Sequence, residues 1–306
     1  MTAAVTEGSE PASRPSPLRV WLLAIRPATL PAAASGVAVG LGAALARGAP
    51  FQVVPAMLCL AVALLLQAAA NLANDLSDFR RGADLPERLG PTRVAAAGLV
   101  TDRELERAVG VVLAAAALVG LALAVVGGPV VLVAGACAIA ALLAYTGGPW
   151  PYGYHALGEP FVFLFFGLLA VVGTAFLQAG HVDALFVAAA LPTGFLTTAI
   201  LVVNNLRDIE TDRAAGKRTL AVILGRTATR GEAVALVLAA YGVALALAAV
   251  RGPVLLLPLV TAPLALTIVR RLRDAEARRL NAALAATARL DLAFALAFAI
   301  GLALSR

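Results

Sequence analysis

Long apolar stretches alternate with polar segments along this chain. Crossing a bilayer as a helix requires roughly 20 apolar residues. Nine stretches meet that length, at approximately 20–46, 52–74, 106–127, 129–146, 157–178, 184–206, 232–250, 253–271 and 284–304. The pattern therefore predicts an all-α membrane protein built as a bundle of nine transmembrane helices.

The connections between these stretches alternate between short and long. Short Gly/Pro turns occur at 47–50, 127–129 and 251–253. Longer polar segments occupy 75–105, 147–156, 207–231 and 272–283. Because the long segments recur after every second helix, they are predicted to lie at one end of the bundle, with cap loops following helices 2 and 6.

The basic residues give the expected orientation of the bundle. With the N-terminus placed inside, 21 of the 24 Arg and Lys residues fall on the cytoplasmic side. Cytoplasmic loops of membrane proteins carry such an excess. We therefore expect a multi-pass protein of the cell membrane, with a cytoplasmic N-terminus and an external C-terminus. Residues 1–17 are polar and rich in Pro and Ser, which predicts a disordered cytoplasmic tail before a single domain at 18–306.

Composition excludes several classes of protein. Hydrophobic residues make up 61% of the chain and charged residues 14%, against about 25% charged in soluble domains. The net charge of +6 follows from the loop arginines, so no nucleic-acid partner is expected, and the bilayer is the expected surrounding. Cys59 and Cys137 both lie in apolar stretches, which gives neither a disulfide framework nor a zinc signature. The sequence makes no prediction of oligomeric state.

Two acidic motifs of similar spacing stand at the ends of the second and sixth apolar stretches. Each is an Asn-x-x-x-Asp sequence with a further Asp three or four residues on. The first motif consists of Asn71, Asp75 and Asp78, and the second motif consists of Asn204, Asp208 and Asp212. At about 100° per residue, the members of each motif share one helix face.

Carboxylates beside an apolar phase are costly unless they are paired or bind a metal ion. Mg²⁺ prefers oxygen ligands and is typically held by one or two carboxylates together with substrate phosphates. All six motif residues are therefore candidate Mg²⁺ ligands, and two facing motifs would bind a diphosphate through the metal. The alternative, helix caps and solvated loop charges, does not explain two matched clusters at corresponding helix ends.

Cations suited to a diphosphate lie around both motifs. The candidates are Arg26, Arg81, Arg93, Arg207, Lys217 and Arg218. Lys217 is the only lysine in the chain, which points to a compact charge contact with phosphate rather than a bidentate one.

These residues resemble the UbiA family of intramembrane aromatic prenyltransferases. The likeness covers nearly all of the chain after residue 18. It is carried by both acidic motifs and, more specifically for the menaquinone branch of the family, by the stretches Tyr145-Thr-Gly-Gly-Pro149 and Gly216-Lys217-Arg218-Thr219-Leu220. The family is a nine-helix bundle with acidic motifs at the cytoplasmic ends of helices 2 and 6.

The resemblance implies a reaction and roles for particular residues. A polyprenyl diphosphate would ionise with Mg²⁺, and a 1,4-dihydroxy-2-naphthoate ring would attack and lose CO₂, giving demethylmenaquinone. The four motif aspartates would be catalytic, and Tyr145 would lie near the bond that breaks. Where many family members carry another Asp, this chain has Gly82, with Asp84 next. Asp84 is thus a further catalytic candidate, for metal binding or for proton chemistry.

Two alternatives stay open at the level of sequence. A UbiA-type enzyme with another aromatic acceptor, such as 4-hydroxybenzoate, would keep the same fold and motifs. A secondary transporter would also carry intramembrane acids and repeated halves, but its site usually lies near the bilayer midplane. The two motifs here stand at helix ends among cations.

Overall fold

The computed structural model describes residues 15–83, 89–274 and 279–305. Within these ranges there is no strand, and nine helices are long and apolar enough to cross a membrane. They are α1 Pro17–Ala46, α2 Val53–Arg80, α3 Asp102–Gly127, α4 Pro129–Thr146, α5 Gly158–Ala179, α6 Ala184–Ala214, α7 Leu220–Arg251, α8 Pro253–Arg273 and α9 Leu280–Leu304. The predicted fold class and number of helices are confirmed.

The helices at the motif-bearing end of the bundle are longer than the apolar pattern predicts. The stretch 207–231, expected to be a loop, is largely helical, with only residues 215–219 between α6 and α7. The helix α7 bends at Gly225, which has a φ of 77°. Polar residues can extend a helix beyond the membrane, where backbone propensity rather than hydropathy sets its length. Both acidic motifs consequently lie on helices and not after them.

The first helix is interrupted near its start. An α-helical segment ends at Ile25, Arg26 adopts a left-handed conformation with φ of 52°, and a 3₁₀ turn follows at 27–29. Pro27 causes the break, because its ring disfavours helical geometry in the preceding residue. The amide Nδ2 of Asn71 donates hydrogen bonds to the freed carbonyl oxygen of Ile25 and to Thr29 Oγ1, both at 2.8 Å. The first motif thus fixes the broken segment of α1.

The two ends of the bundle are chemically distinct. The motif end carries the connections 81–101, 147–157, 215–219 and 274–279. At the opposite end the turns are short, and they are joined by an Arg47–Asp183 ion pair of 2.7 Å and by reciprocal hydrogen bonds between Gln52 and Gln178. Long connections therefore follow α2 and α4 as predicted, whereas the connection 215–219 after α6 is no longer than the turn 47–52 at the opposite end.

Glycines allow the helices around the site to approach closely. A Cβ atom at Gly40 of α1 would lie 2.5 Å from the carbonyl oxygen of Val171 on α5. A Cβ atom at Gly167 of α5 would lie 2.5 Å from the Cα atom of Gly194 on α6. Small residues at such crossings are the usual basis of helix packing in membranes. The largest apolar core lies among α1, α5, α6, α7, α8 and α9.

Gly40→Ala is expected to destabilise the protein, although alanine favours helices more than glycine does. Overpacking costs about 1–3 kcal/mol, which exceeds a propensity gain of about 0.5–1 kcal/mol. Gly120→Ala on α3 is the matched control, because a Cβ atom there meets no atom within 4 Å. The midpoint of thermal unfolding in detergent should fall for Gly40→Ala and stay level or rise for Gly120→Ala. Equal midpoints would contradict the close α1–α5 crossing.

Candidate active site

The first motif lies buried in the last turns of α2. Asn71, Asp75 and Asp78 are 5%, 0% and 1% exposed. The Oδ2 atom of Asp75 accepts a hydrogen bond of 3.0 Å from the backbone N–H of Val94. The connection between α2 and α3 therefore folds back over the motif and covers it.

Asp78 is bound by three side chains from three different connections. Its Oδ2 atom lies 2.7 Å from Nη2 of Arg93, and the Nζ atom of Lys217 lies 3.0 Å from both carboxylate oxygens. The hydroxyl of Tyr154 donates a hydrogen bond of 2.7 Å to Oδ1. A buried carboxylate is tolerated when its charge is paired and its lone pairs accept hydrogen bonds. Asp78 meets both conditions.

The second motif is organised by a buried arginine. Arg207, 2% exposed, binds the carboxylate of Asp208 through two hydrogen bonds of 2.7 and 2.6 Å. The same guanidinium donates to the Oδ1 atoms of Asn204 at 2.9 Å and Asn281 at 3.0 Å. Asn281 in turn donates to the carbonyl oxygen of Leu89. Arg207 thus joins α6 to α9 and, through Asn281, to the connection after α2.

Lys217 joins the two motifs directly. Its backbone N–H donates a hydrogen bond of 2.8 Å to the carbonyl oxygen of Asp212, while its ammonium group binds Asp78. The ammonium also lies 4.8 Å from the centroid of the Tyr154 ring. The ends of α2 and α6 therefore lie side by side. We call the region between them, bounded by Asp78, Lys217 and Tyr154, the chamber.

Tyr154 lies between the two acidic motifs. Burial raises the pKa of its phenol, and the charges of Asp78 and Asp212 raise that pKa further, against the opposing charge of Arg81. Tyr154 thus contacts Asp78 of the first motif through its hydroxyl and, through its carbonyl oxygen, Arg218 of the connection that follows the second motif. Sequence reasoning gave Tyr154 no role, although a tyrosine in the polar connection after α4 was a visible signal.

The other predicted residues lie at the edge of this chamber. Arg81 donates a hydrogen bond of 3.1 Å to the carbonyl oxygen of Thr146, and a second to that of Gly148. The backbone N–H of Arg218 donates to the carbonyl oxygen of Tyr154 at 3.0 Å, and the Arg218 residue itself is exposed. Arg26 lies at the break in α1, beside the residues that bind Asn71. Asp84 lies outside the described residues.

Tyr145, the candidate aromatic residue, is held between two glycines at the end of α4. Cβ atoms at Gly153 and Gly158 would lie 2.9 and 3.6 Å from its ring atom Cε2. Its ring also meets Tyr152 edge-on, with centroids 5.4 Å apart. The next residue, Thr146, donates a hydrogen bond of 2.8 Å to Oδ1 of Asn74, which precedes Asp75 on α2. Tyr145 therefore belongs to the same chamber as the motifs.

The oxygen ligands of the two motifs fit Mg²⁺ when phosphate oxygens of a substrate complete the coordination. Among the described residues, no three His, Cys, Asp or Glu side chains come close enough together to hold one metal ion. The oxygen ligands available are carboxylates and amides in two groups, and Asp78 and Asp208 already have internal cations. Such a set suits Mg²⁺ bound by one or two carboxylates plus phosphate oxygens. It does not suit a cage made of protein ligands alone.

Comparison with known proteins places this geometry in a family. The model of the UbiA prenyltransferase family matches residues 34–294. The chain is 44% identical to a 1,4-dihydroxy-2-naphthoate octaprenyltransferase of Mycobacterium tuberculosis, over 85% of this chain and 88% of the relative. It is 41% identical to the Escherichia coli protein of the same name, over 69% of this chain and 70% of that one.

A solved structure agrees in fold. A UbiA homologue from Archaeoglobus fulgidus, bound to GPP and Mg²⁺, superposes with a TM-score of 0.64. The match covers 91% of this chain and 99% of the homologue, at 18% identity. The family model matches most of the chain, and the relatives compared above share one name. This multi-pass membrane protein therefore belongs to the UbiA prenyltransferase family.

Proposed function

We propose that this protein transfers a polyprenyl group from polyprenyl diphosphate to 1,4-dihydroxy-2-naphthoate, releasing diphosphate and CO₂ and giving demethylmenaquinol, the reduced form of demethylmenaquinone. The observation that carries the proposal is the shared chamber, in which Lys217 and Tyr154 contact the first motif and lie beside the second. The relatives named for this reaction supply the identity of the acceptor.

The two motifs would hold the diphosphate end of the donor. Asp75, Asp78, Asp208 and Asp212, with Asn71 and Asn204, would supply the protein ligands of Mg²⁺, with one or two carboxylates to each ion, and the bound metal would neutralise the negative charge of the departing diphosphate. Arg93, Lys217 and Arg207 now neutralise Asp78 and Asp208. These side chains are therefore charged, buried and close to the position where anionic phosphate would develop charge.

The protein's own residues would protect the allylic cation that forms. Tyr145 presents an aromatic ring beside the motifs, and aromatic faces attract cations. Its orientation is constrained by Gly153 and Gly158. The prenyl chain would extend between the helices toward lipid, where small residues leave grooves.

We propose the following orientation in the membrane. The motif end faces the cytoplasm, because it carries nearly all of the basic residues, and the C-terminus lies on the external side of the cell membrane. Polyprenyl diphosphate and the naphthoate would then reach the chamber from the cytoplasmic leaflet.

Asp78→Asn and Asp208→Asn are each expected to lower prenyl transfer by at least about 100-fold, because each removes a carboxylate that would bind the diphosphate–metal complex. The measurement is transfer to 1,4-dihydroxy-2-naphthoate in membranes, with Mg²⁺ or with EDTA. Asp183→Asn is the control, since its ion pair with Arg47 lies at the opposite end. Full activity in either motif variant, with normal thermal stability, would reject the proposed diphosphate site.

Lys217→Met is expected to raise the KM for polyprenyl diphosphate and to lower kcat. The lost hydrogen bonds to charged groups are worth about 1.5–3 kcal/mol, or roughly 10- to 150-fold in kcat/KM. Lys217→Arg should retain part of the activity, because it keeps the charge. Arg226→Gln is the control, since Arg226 contacts the exposed Glu210. An unchanged KM for the diphosphate in Lys217→Met would show that Lys217 only neutralises Asp78.

Acceptor choice is tested by offering 1,4-dihydroxy-2-naphthoate and 4-hydroxybenzoate separately to the same membranes. We expect kcat/KM to favour the naphthoate by at least about 100-fold, a discrimination within the range that a site built to bind particular polar groups achieves. A preference for the benzoate would assign the protein to another branch of the family and leave the diphosphate site intact.

A further inference from the structure

A further buried carboxyl group lies near Tyr145, apart from the two motifs. Glu159, in the first turn of α5, is 7% exposed, and its Oε1 atom accepts a hydrogen bond of 3.1 Å from Nδ2 of Asn205 on α6. Asn205 is itself 5% exposed. The diphosphate site described above uses neither side chain.

Glu159 differs from the motif aspartates in its electrostatic surroundings. Asp78 and Asp208 each have a cationic partner, whereas in the part of the chain that the structure describes Glu159 forms no salt bridge. A buried carboxyl group surrounded in this way gains most from a neutral hydrogen-bond donor such as a hydroxyl group.

The position of Glu159 is beside the candidate aromatic residue. A Cβ atom at the preceding residue, Gly158, would lie 3.6 Å from the hydroxyl oxygen of Tyr145. On the same side, the rings of Tyr152 and Phe161 stack with centroids 4.0 Å apart. This side of the chamber thus combines aromatic walls with one carboxyl group, which are the features that would recognise a planar phenol.

Stabilisation of the α5 N-terminus does not account for the burial of Glu159 or for its hydrogen bond with Asn205. An acidic side chain in the first helical turn interacts favourably with the helix dipole, and Glu159 has that position. The dipole interaction, however, operates equally well at an exposed residue. It requires neither burial nor a hydrogen bond from another helix.

We propose that Glu159, oriented by Asn205, accepts the hydrogen bond of a ring hydroxyl of the aromatic acceptor and thereby activates the ring for attack. The inference rests on the proposed function for the identity of the reaction. Glu159 would be a catalytic residue, since it contacts substrate, and Asn205 a positioning residue.

The bond changes balance with this role. As the ring carbon that carries the carboxylate bonds to the prenyl C1 atom, the allylic C–O electrons leave with diphosphate, and the proton of the neighbouring hydroxyl shifts toward Glu159. When the ring carboxylate leaves as CO₂, the electrons of its C–C bond restore the aromatic ring. The proton then returns to the oxygen atom, so that Glu159 ends unchanged.

The test is Glu159→Gln, with Glu210→Gln as the matched control. Glu210 lies between Asp208 and Asp212 in the sequence, but it is exposed and contacts Arg213 and Arg226. In Glu159→Gln, kcat/KM for the naphthoate should fall by about 100-fold or more, while the KM for polyprenyl diphosphate stays within about twofold of wild type, as expected for a residue that does not contact the diphosphate. Glu210→Gln should match wild type for both substrates.

A substrate analogue separates hydrogen bonding from a structural role. Wild type should discriminate against one of the two monomethyl ethers of the acceptor, in which the recognised hydroxyl is blocked. That discrimination should largely disappear in Glu159→Gln, because both changes remove the same interaction. Asn205→Ala should reduce the same discrimination in part, and it replaces Glu159→Gln should the latter fail to fold.

Two results would overturn the inference: naphthoate kcat/KM within threefold of wild type in Glu159→Gln, or an ether discrimination as large in the variants as in wild type. Failure of the proposed function would look different. Wild type itself would then transfer no prenyl group to the naphthoate, and the same comparison would be repeated with the acceptor that it does use.

Discussion

The structure depends on neutralising one carboxylate, that of Asp78, inside an apolar bundle. Its three partners, Arg93, Tyr154 and Lys217, come from the connections after α2, α4 and α6. An unpaired charge at this depth would cost several kcal/mol, so the pairing requires that all three connections meet over the end of α2. The chamber is a consequence of that requirement, since Lys217 also bonds through its backbone to Asp212 of the second motif.

The same pairing explains how the site is prepared for an anionic substrate. Arg93, Lys217 and Arg207 are held in place by aspartates before a ligand arrives, with Arg93 and Arg207 buried and Lys217 partly buried. Because diphosphate and Mg²⁺ enter together, the aspartates can bind the metal while the basic side chains bind the phosphate. No charge is then left without a partner. Preorganised charges of this kind need little rearrangement during reaction. The position of the charges at helix ends, not at mid-bundle, agrees with a phosphate site and not with a transport pathway.

Much of this arrangement was predictable from the sequence, because hydropathy and helical period act locally. The nine helices, the long connections after α2 and α4 and the shared face within each motif follow from such local rules. Tertiary contacts could not be predicted in this way. No local feature of the sequence indicated that Asp78 forms an ion pair with Lys217 while Asp208 forms one with the adjacent Arg207. The roles of Tyr154 and the Glu159–Asn205 pair, and the helical character of 207–214, likewise depend on how distant segments fold together.

The central claim is that both motifs act on one diphosphate, and a double-mutant cycle on ligand binding tests it most directly. The dissociation constant of a non-hydrolysable prenyl thiolodiphosphate would be measured with Mg²⁺ for wild type, Asp78→Asn, Asp208→Asn and the double variant. A shared ligand predicts that the two single losses fail to add, with a coupling of about 0.5–3 kcal/mol. Losses that add to within about 0.3 kcal/mol would indicate independent sites and would contradict the account.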